Sequence, residues 1–316
     1  MNPVVTAIIP TFRRPALLER SVGSVLAQDY RPLELIVVDD SSGDSTPEML
    51  AGFATLAQAA GVEYRWCTVP NGGPGPARNH AMKLAQGEYF AFLDDDDAWL
   101  PGKITRQVAA MQAEPDAGAS FTRFVHVGKE DRPKPSAESM QDGWVFESLC
   151  TGSTRAHIQT LMISRAAFVA TGGFGALRQW EDTEFELRLA LLAPFVAVPD
   201  VLTVITPAPD SISREAGLEG DLRRDREKLD FLAQFVAAHG RHPRFSMMAA
   251  QTLRARIYDE HIKHLLWLGR VREARAAHEQ AMSECGPHPL LQRLRRKLLR
   301  ARVAGWFGLR VRRPGN

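Results

Sequence analysis

The chain has 316 residues, 45% hydrophobic and 24% charged, which is enough to bury one large or two ordinary cores. Its best apolar stretch, Leu189 to Ile205, is broken by Pro194, Pro199 and Asp200, so no run is suited to cross a bilayer, and three cysteines without metal-type spacing favour reduced thiols over a disulfide framework. The net charge of +2 hides an acidic body and a basic tail, because nine Lys or Arg residues and no acid follow from Arg293 onward.

Val4 to Pro10 is a β-branched apolar run, and Thr11, Phe12, Arg13, Arg14 and Pro15 lead from it into a helix marked by Leu17, Leu18, Val22, Val25 and Leu26. A second strand, Leu33 to Val38, ends in Asp39 and Asp40. Thr46 followed by Pro47 is a helix start, and that helix is expected to reach about Ala60. Val62 to Val69 reads as a third strand, Asn71 to Pro76 as a loop and Ala77 to Gln86 as a helix. The next apolar run, Tyr89 to Leu93, ends abruptly in four carboxylates, Asp94 to Asp97. Four strand-helix alternations predict a parallel sheet covered on both faces, with these acids at one rim, where open α/β sheets bind ligands.

Adjacent carboxylates repel one another, and a divalent cation such as Mg or Mn relieves that repulsion. The alternative is a solvated turn whose aspartates cap the following helix. Beyond Pro101 the pattern predicts a helix to about Ala113, a strand over Ala117 to Val127 and a polar loop over Gly128 to Ser139. Short strands are expected at Gly143 to Leu149 and Ile158 to Ile163. A glycine loop, Gly172 to Gly175, leads to Trp180, Glu181 and Asp182. A helix over Glu184 to Leu192 follows, then two short strands over Phe195 to Thr206 that turn at Pro199 and Asp200. From about Gly217 helical patterns dominate, with breaks near Pro243, Gly269 and Gly286.

The loop GGPGPARN matches neither a dinucleotide fingerprint nor a Walker loop, because Arg78 stands where glycine is wanted and no Walker lysine follows. It does place Arg78 and Asn79 at a helix start, where a guanidinium and free backbone donors suit a diphosphate. The alternative is an arginine that covers the sheet edge. His80, His126 and His157 lack paired metal spacing and are assigned no catalysis. Trp99 and Trp144 are expected in the core or a cleft wall.

The ordered set TAIIPTFRRPALLERSVGSVLAQDY, ELIVVDDSSGDST, NGGPGPARNHAMKLAQGEYFAFLDDDDAWLPGK and WEDTEFELRL closely resembles the family-two inverting glycosyltransferases of the GT-A fold, over about Val4 to Leu189. The resemblance implies an α/β, Rossmann-like, mostly parallel sheet flanked by helices, and a nucleotide-sugar-binding and catalytic domain over 1–210. Beyond about Thr206 it fades, and the helical patterns there give a C-terminal helical appendage over 211–316. Pro10, Thr11 and Phe12 match the segment against the nucleotide base, with Arg14 beside them among the nucleotide-sugar contacts. Asp40 matches the acid that accepts a hydrogen bond from the base, and Arg78 an arginine near the diphosphate. Asp94, Asp95 and Asp96 match the D-x-D element, with Asp95 near the sugar or ribose and Asp96 as direct metal ligand. Asp182 matches the catalytic base, and Trp180 and Glu181 fall on the acceptor side. One departure is the stretch Thr206 to Ser211, which lacks the histidine often found there; either Asp210 or water takes that place, or the metal is held more weakly.

The activity implied is metal-dependent transfer of a sugar, from a UDP-sugar first and a dTDP- or GDP-sugar next, to a glycan or lipid-linked acceptor in cell-surface polysaccharide, lipopolysaccharide or glycoconjugate synthesis. The rivals are a sugar-phosphate nucleotidyltransferase and a non-catalytic nucleotide-sugar-binding scaffold. With no secretory pattern at the N-terminus, a cytoplasmic location is expected. The tail RLRRKLLRARVAGWFGLRVRR has two readings, an amphipathic segment lying on the inner face of an anionic membrane or a helix whose leucines pack on the body. No nucleic-acid-reading motif accompanies it.

Overall fold

A computed structural model describes residues 2–127, 134–135, 139–175, 177, 179–206 and 217–306, with side chains except at 134–135 and 302–306. The elements in chain order begin with β1 (Val5–Thr11), α1 (Pro15–Leu26), β2 (Leu33–Asp39), α2 (Thr46–Ala60), β3 (Glu63–Thr68), α3 (Pro74–Leu84), β4 (Tyr89–Phe92) and β5 (Ala98–Trp99). Next come α4 (Lys103–Ala113), β6 (Ala119–His126), β7 (Lys134–Pro135), α5 (Phe146–Thr151), a 3-10 turn (Ile158–Thr160), β8 (Leu161–Ser164), α6 (Arg165–Thr171), α7 (Glu181–Leu192) and β9 (Phe195–Ile205). Four helices follow: α8 (Gly217–His239), α9 (Met247–Trp267), α10 (Val271–Cys285) and α11 (Pro289–Trp306). The described residues form two compact units, one from Met1–Val145 with Ser153–Pro209 and the other from Phe146–Gly152 with Asp210–Asn316.

The first unit is built on a sheet of order β3-β2-β1-β4-β8-β6-β9-β5, with β7 added to β6. Its first four strands are parallel, whereas β8 pairs antiparallel with both β4 and β6, and β5 antiparallel with β9. The two-residue alternation of strand side chains explains the layers. Val5, Ala7 and Ile9 of β1 and Leu33, Leu35 and Val37 of β2 meet Leu18, Val22, Leu50, Phe53, Ile104 and Val108 of α1, α2 and α4. On the other face, Phe90 and Phe92 meet the rings of Phe168, Phe174 and Phe185 edge-on. The edge strand β3 is only partly covered, unlike the doubly buried strands expected. Parallel register, with Thr11 opposite Asp39 and Ile8 opposite Phe92, brings the ends of β1, β2 and β4 to one rim.

The helix over Thr46–Ala60 has the bounds that its Thr-Pro start predicts, and Gly61, with φ of 65°, closes it in the left-handed conformation. Three local readings are corrected. The strand expected over Gly143 to Leu149 is the helix α5, preceded by a single bridge from Gly143 to Phe195. Its Phe146 ring packs on Phe245 and Phe235 with centroids 5.0 and 6.4 Å away, contacts that no local window reveals. The strand expected from Ile158 opens as a 3-10 turn and becomes extended only at Leu161. The two strands expected over Phe195 to Thr206 are one, β9, whose register against β6 shifts around Arg123, so that Pro199 sits at an irregularity rather than in a turn.

The second unit is helical. Leu222, Tyr258, Ile262, Leu265, Leu266, Ala274, Leu291, Leu294 and Leu298 make its core, and Arg256 of α9 donates to the Cys150 carbonyl at 3.1 Å. The helix breaks fall at the proline and glycines noted in the sequence. Of the tail, Leu294 and Leu298 pack in this core, Leu299 is exposed, and residues 307–316 lie outside the described residues. No described helix is long and apolar enough to cross a membrane.

Candidate active site

The carboxylates at the end of β4 are not a freely solvated turn and do not cap a helix, although Asp94 keeps 29% of its side chain exposed. Asp95 and Asp97 are buried, and α4 begins only at Lys103, after Gly102. Each acid has its own partners. Asp95 accepts from the Thr11 hydroxyl at 2.8 Å and from Arg14 at 3.3 Å. Arg14 Nη1 also lies 3.1 Å from Asp96 Oδ2. Asp97 Oδ1 accepts from the Thr206 backbone N–H at 2.7 Å. Asp94 accepts from Arg78 Nη2 at 2.6 Å and from the Gln159 amide.

Arg78 joins this run to α7. Its side chain is only 2% exposed, and its other nitrogen, Nη1, donates to Glu181 Oε1 at 3.1 Å. The guanidinium stands 5.3 Å from the centroid of the Phe174 ring. It is therefore a buried tie between two acids rather than a cover on the sheet edge. Glu181 is turned inward onto it, while Asp182, next along the first turn of α7, is half-buried and accepts from the Thr183 N–H at 2.6 Å. Trp180, at φ of 68°, forms the entry to α7.

On the β1 and β2 side, the Asp40 N–H donates to the Thr11 carbonyl at 2.9 Å. The Asp40 carboxylate accepts from the N–H groups of Gly72 and Gly73 at 2.8 and 2.9 Å and from Asn71 at 3.1 Å. The NGG loop thus folds around Asp40 and leads directly into α3, which carries Arg78. Asp39 is used within the strand pair, accepting from the Ser42 N–H at 3.0 Å and the Thr68 hydroxyl at 3.2 Å. Pro10 is buried in β1, and Phe12 is exposed with the Arg13 guanidinium 4.9 Å from its ring centroid. A continuous chain of hydrogen bonds therefore links Asp40, Thr11, Asp95, Arg14 and Asp96. A second runs from Asp94 through Arg78 to the helix of Asp182.

Asp94, Asp96 and Asp97 each offer a carboxylate oxygen within 4.8 Å of the others. Burial first, and repulsion from neighbouring aspartates second, push Asp96 up to about 6 and Asp97 up to about 8 from an ordinary 3.8. Asp96 Oδ1 and Asp97 Oδ2 accept no hydrogen bond among the described residues. An all-oxygen donor set under such repulsion fits a hard divalent cation. Asp95 is raised mainly by burial, opposed by Thr11 and Arg14. Glu181 is likewise raised by burial and opposed by Arg78.

Three participants escaped the sequence reading, and Asp97, read there as the fourth acid of the run, was given no role of its own. Arg20 donates to the Asp96 carbonyl and, at 2.9 Å, to the Thr206 hydroxyl. Gln159 lies 65 residues from the carboxylate it holds and had no local signal. Glu186 stands one turn beyond Asp182, its Oε1 buried without a hydrogen bond and its carboxyl pushed well above the ordinary range by burial. Its four-residue spacing from Asp182 was the available clue. Of the stretch expected to supply a last metal ligand, Thr206 is placed, whereas Pro207 to Ser211, Asp210 included, lie outside the described residues, as does most of Gly128 to Ser139.

An acidic, cation-suited cluster thus lies at the carboxyl rim of parallel strands and is joined through a buried arginine to a second acidic pair. The sequence profile described as glycosyl transferase family 2 matches residues 6–178, and the chain belongs to that family.

TuaG of Bacillus subtilis (strain 168), a glycosyltransferase assigned to teichuronic acid biosynthesis, is 35% identical over 132 residues, 42% of this chain and 51% of TuaG. A Campylobacter jejuni GalNAc(5)-diNAcBac-PP-undecaprenol beta-1,3-glucosyltransferase is 35% identical over 103 residues, 33% of each chain. The matches thus span about half or less of these relatives. Among solved structures, the mannosyltransferase PcManGT from Pyrobaculum calidifontis, in complex with GDP-Man and Mn2+, superposes with a TM-score of 0.63 at 20% identity, covering 98% of this chain and 88% of that one. That likeness establishes the GT-A fold.

Proposed function

We propose that this chain transfers a sugar, with inversion, from a nucleoside-diphosphate donor to a hydroxyl of a glycan or lipid-linked acceptor in cell-envelope polysaccharide or glycoconjugate assembly. A UDP-sugar is the first donor to test. The observation that carries the reading is Arg78, whose two nitrogens tie the acidic exit of β4 to the helix bearing Asp182. Donor and catalytic work belong to residues 1–210, and 211–316 form the helical region.

Asp94, Asp96 and Asp97 would hold Mg or Mn, with Asp96 the principal ligand. When bound, the cation offsets the negative charge that builds on the leaving diphosphate. Arg78 and Arg14 add fixed positive charge at the same rim, preorganised by their carboxylate partners. Pro10, Thr11, Phe12 and Asp40 line the nucleotide side, and Asp95, held by Thr11, faces the sugar or ribose. Asp182 takes the proton of the acceptor hydroxyl as it attacks the anomeric carbon, with Trp180 providing a flat face for the acceptor.

The test is release of nucleoside diphosphate from UDP-, dTDP- and GDP-sugars with Mg or Mn, followed by an acceptor screen. Asp182→Asn is expected to keep donor binding and lose roughly 10²–10⁴-fold in transfer. Asp96→Asn should weaken cation-dependent donor binding. Transfer by Asp182→Asn at the parent rate overturns the base assignment, and pyrophosphate exchange in place of diphosphate release overturns the reaction class.

A further inference from the structure

The helix α11 carries charge that no described residue answers. Leu291, Leu294, Leu298 and Ala301 of α11 are spent in the unit's apolar core, so this stripe is not free to enter hydrocarbon. On the opposite face Arg293, Arg296 and Arg300 recur at three- and four-residue spacing, flanked by Arg295 and Lys297, and all five are exposed. None of the five makes an ion pair or hydrogen bond among the described residues.

Elsewhere the same unit pairs most of its cations, Arg241 and Arg272 being exceptions among the described residues. Arg270 meets Glu219 and Glu273, Lys263 meets Asp259, Arg254 meets Glu284 and Arg275 meets Glu279. No acid follows Glu284 in the chain. Seven helical rises separate Arg293 from Arg300, about 10 Å, which is about one Debye length, so the five charges act together. Their mutual repulsion opposes the helix, and an anionic partner relieves it. Leu299, 63% exposed, stands within the same basic face. A one-sided cluster of unpaired cations around one apolar side chain suits the headgroup layer of a membrane, and base-edge readout has no counterpart here.

We propose that the outer face of α11 docks this protein electrostatically on an anionic lipid bilayer, without inserting its leucine stripe. The contact is independent of sugar transfer, because the docking face and the leucine stripe both belong to the helical unit.

The full chain would be sedimented with vesicles of phosphatidylcholine alone and with about 30 mol% phosphatidylglycerol, at low and high salt. Binding is expected only to the anionic vesicles and only at low salt. The triple variant Arg293→Gln/Arg296→Gln/Arg300→Gln should lose roughly 100-fold in partitioning, about fivefold per cation. Its thermal unfolding and donor turnover should match the parent, and a control that removes Arg272 and Arg275 from α10 should still bind. Failure to sediment on anionic vesicles at low salt, or equal sedimentation of the triple variant, overturns the proposal. Displacement from the vesicles by polynucleotide at equal charge concentration would assign the face to nucleic acid and overturn it equally. Donor turnover, measured without vesicles, keeps this outcome separate from the catalytic reading.

Discussion

Arg78 offers the sharpest test of how the site is held together. Arg78→Met keeps most of the side-chain volume but removes a charge only 2% exposed, whose nitrogens stand 2.6 Å from Asp94 and 3.1 Å from Glu181. Asp94, with its side chain 29% exposed, can recover water. Glu181, with its side chain 9% exposed, cannot, and is left as a buried charge without a partner. Breaking such a pair from one side costs about 3–5 kcal/mol. For a unit of this size that corresponds to a fall in Tm of roughly 6–20 °C. Burial already raises Glu181 and Arg78 is the leading opposing influence, so in the variant Glu181 takes up a proton at higher pH than before. The loss should therefore shrink in acid.

The double variant Arg78→Met/Glu181→Gln removes the stranded charge and should regain at least half of the loss. Thermal and urea unfolding followed by circular dichroism, over the four members of the cycle, measures both quantities. A loss under about 1 kcal/mol for Arg78→Met, or a double variant no more stable than the single, would refute the buried-tie account.

Two further outcomes follow from the geometry. Asp96 and Asp97 titrate near 6 and 8 against 3.8 when unperturbed, so between about pH 4 and 8 the native state binds more protons than the unfolded chain. The chelated protein should therefore lose stability as pH rises through that window, by a few kcal/mol in order of magnitude. Asp97→Asn should flatten the fall, and Mg or Mn should raise Tm more at pH 8 than at pH 5. A flat profile for the chelated parent would contradict the crowding of these acids. Separately, a Cβ at Gly87 would stand 2.5 Å from the Thr6 hydroxyl and 2.7 Å from the Thr6 backbone nitrogen. Gly87→Ala should cost about 1–3 kcal/mol in urea unfolding, and an unchanged midpoint would show that the β1–β4 junction is looser than described.

Local pattern reached far along this chain because it encodes periodicity and chain-end chemistry. Thr46 and Pro47 announced α2, apolar runs announced β1, β2 and β4, and the acids at the exits of β2 and β4 marked the rim. The family resemblance rested on those same segments. Where a segment's state depends on distant partners, local pattern failed. Phe146 favours a helix because rings some ninety residues onward receive it, and Pro199 stays within β9 because β6 accommodates the irregularity.

The amino-acid order by itself determined that β1, β2 and β4 became buried strands and that β2 and β4 ended in carboxylates, since side-chain hydrophobicity and spacing are properties of adjacent residues. Tertiary structure alone decided that β8 lies antiparallel between β4 and β6, that Gln159 reaches Asp94, and that Arg78 disappears between Asp94 and Glu181. The physical reason is that burial of a polar group, and the partner that makes the burial tolerable, exist only once segments 16 to 103 residues apart are brought into contact.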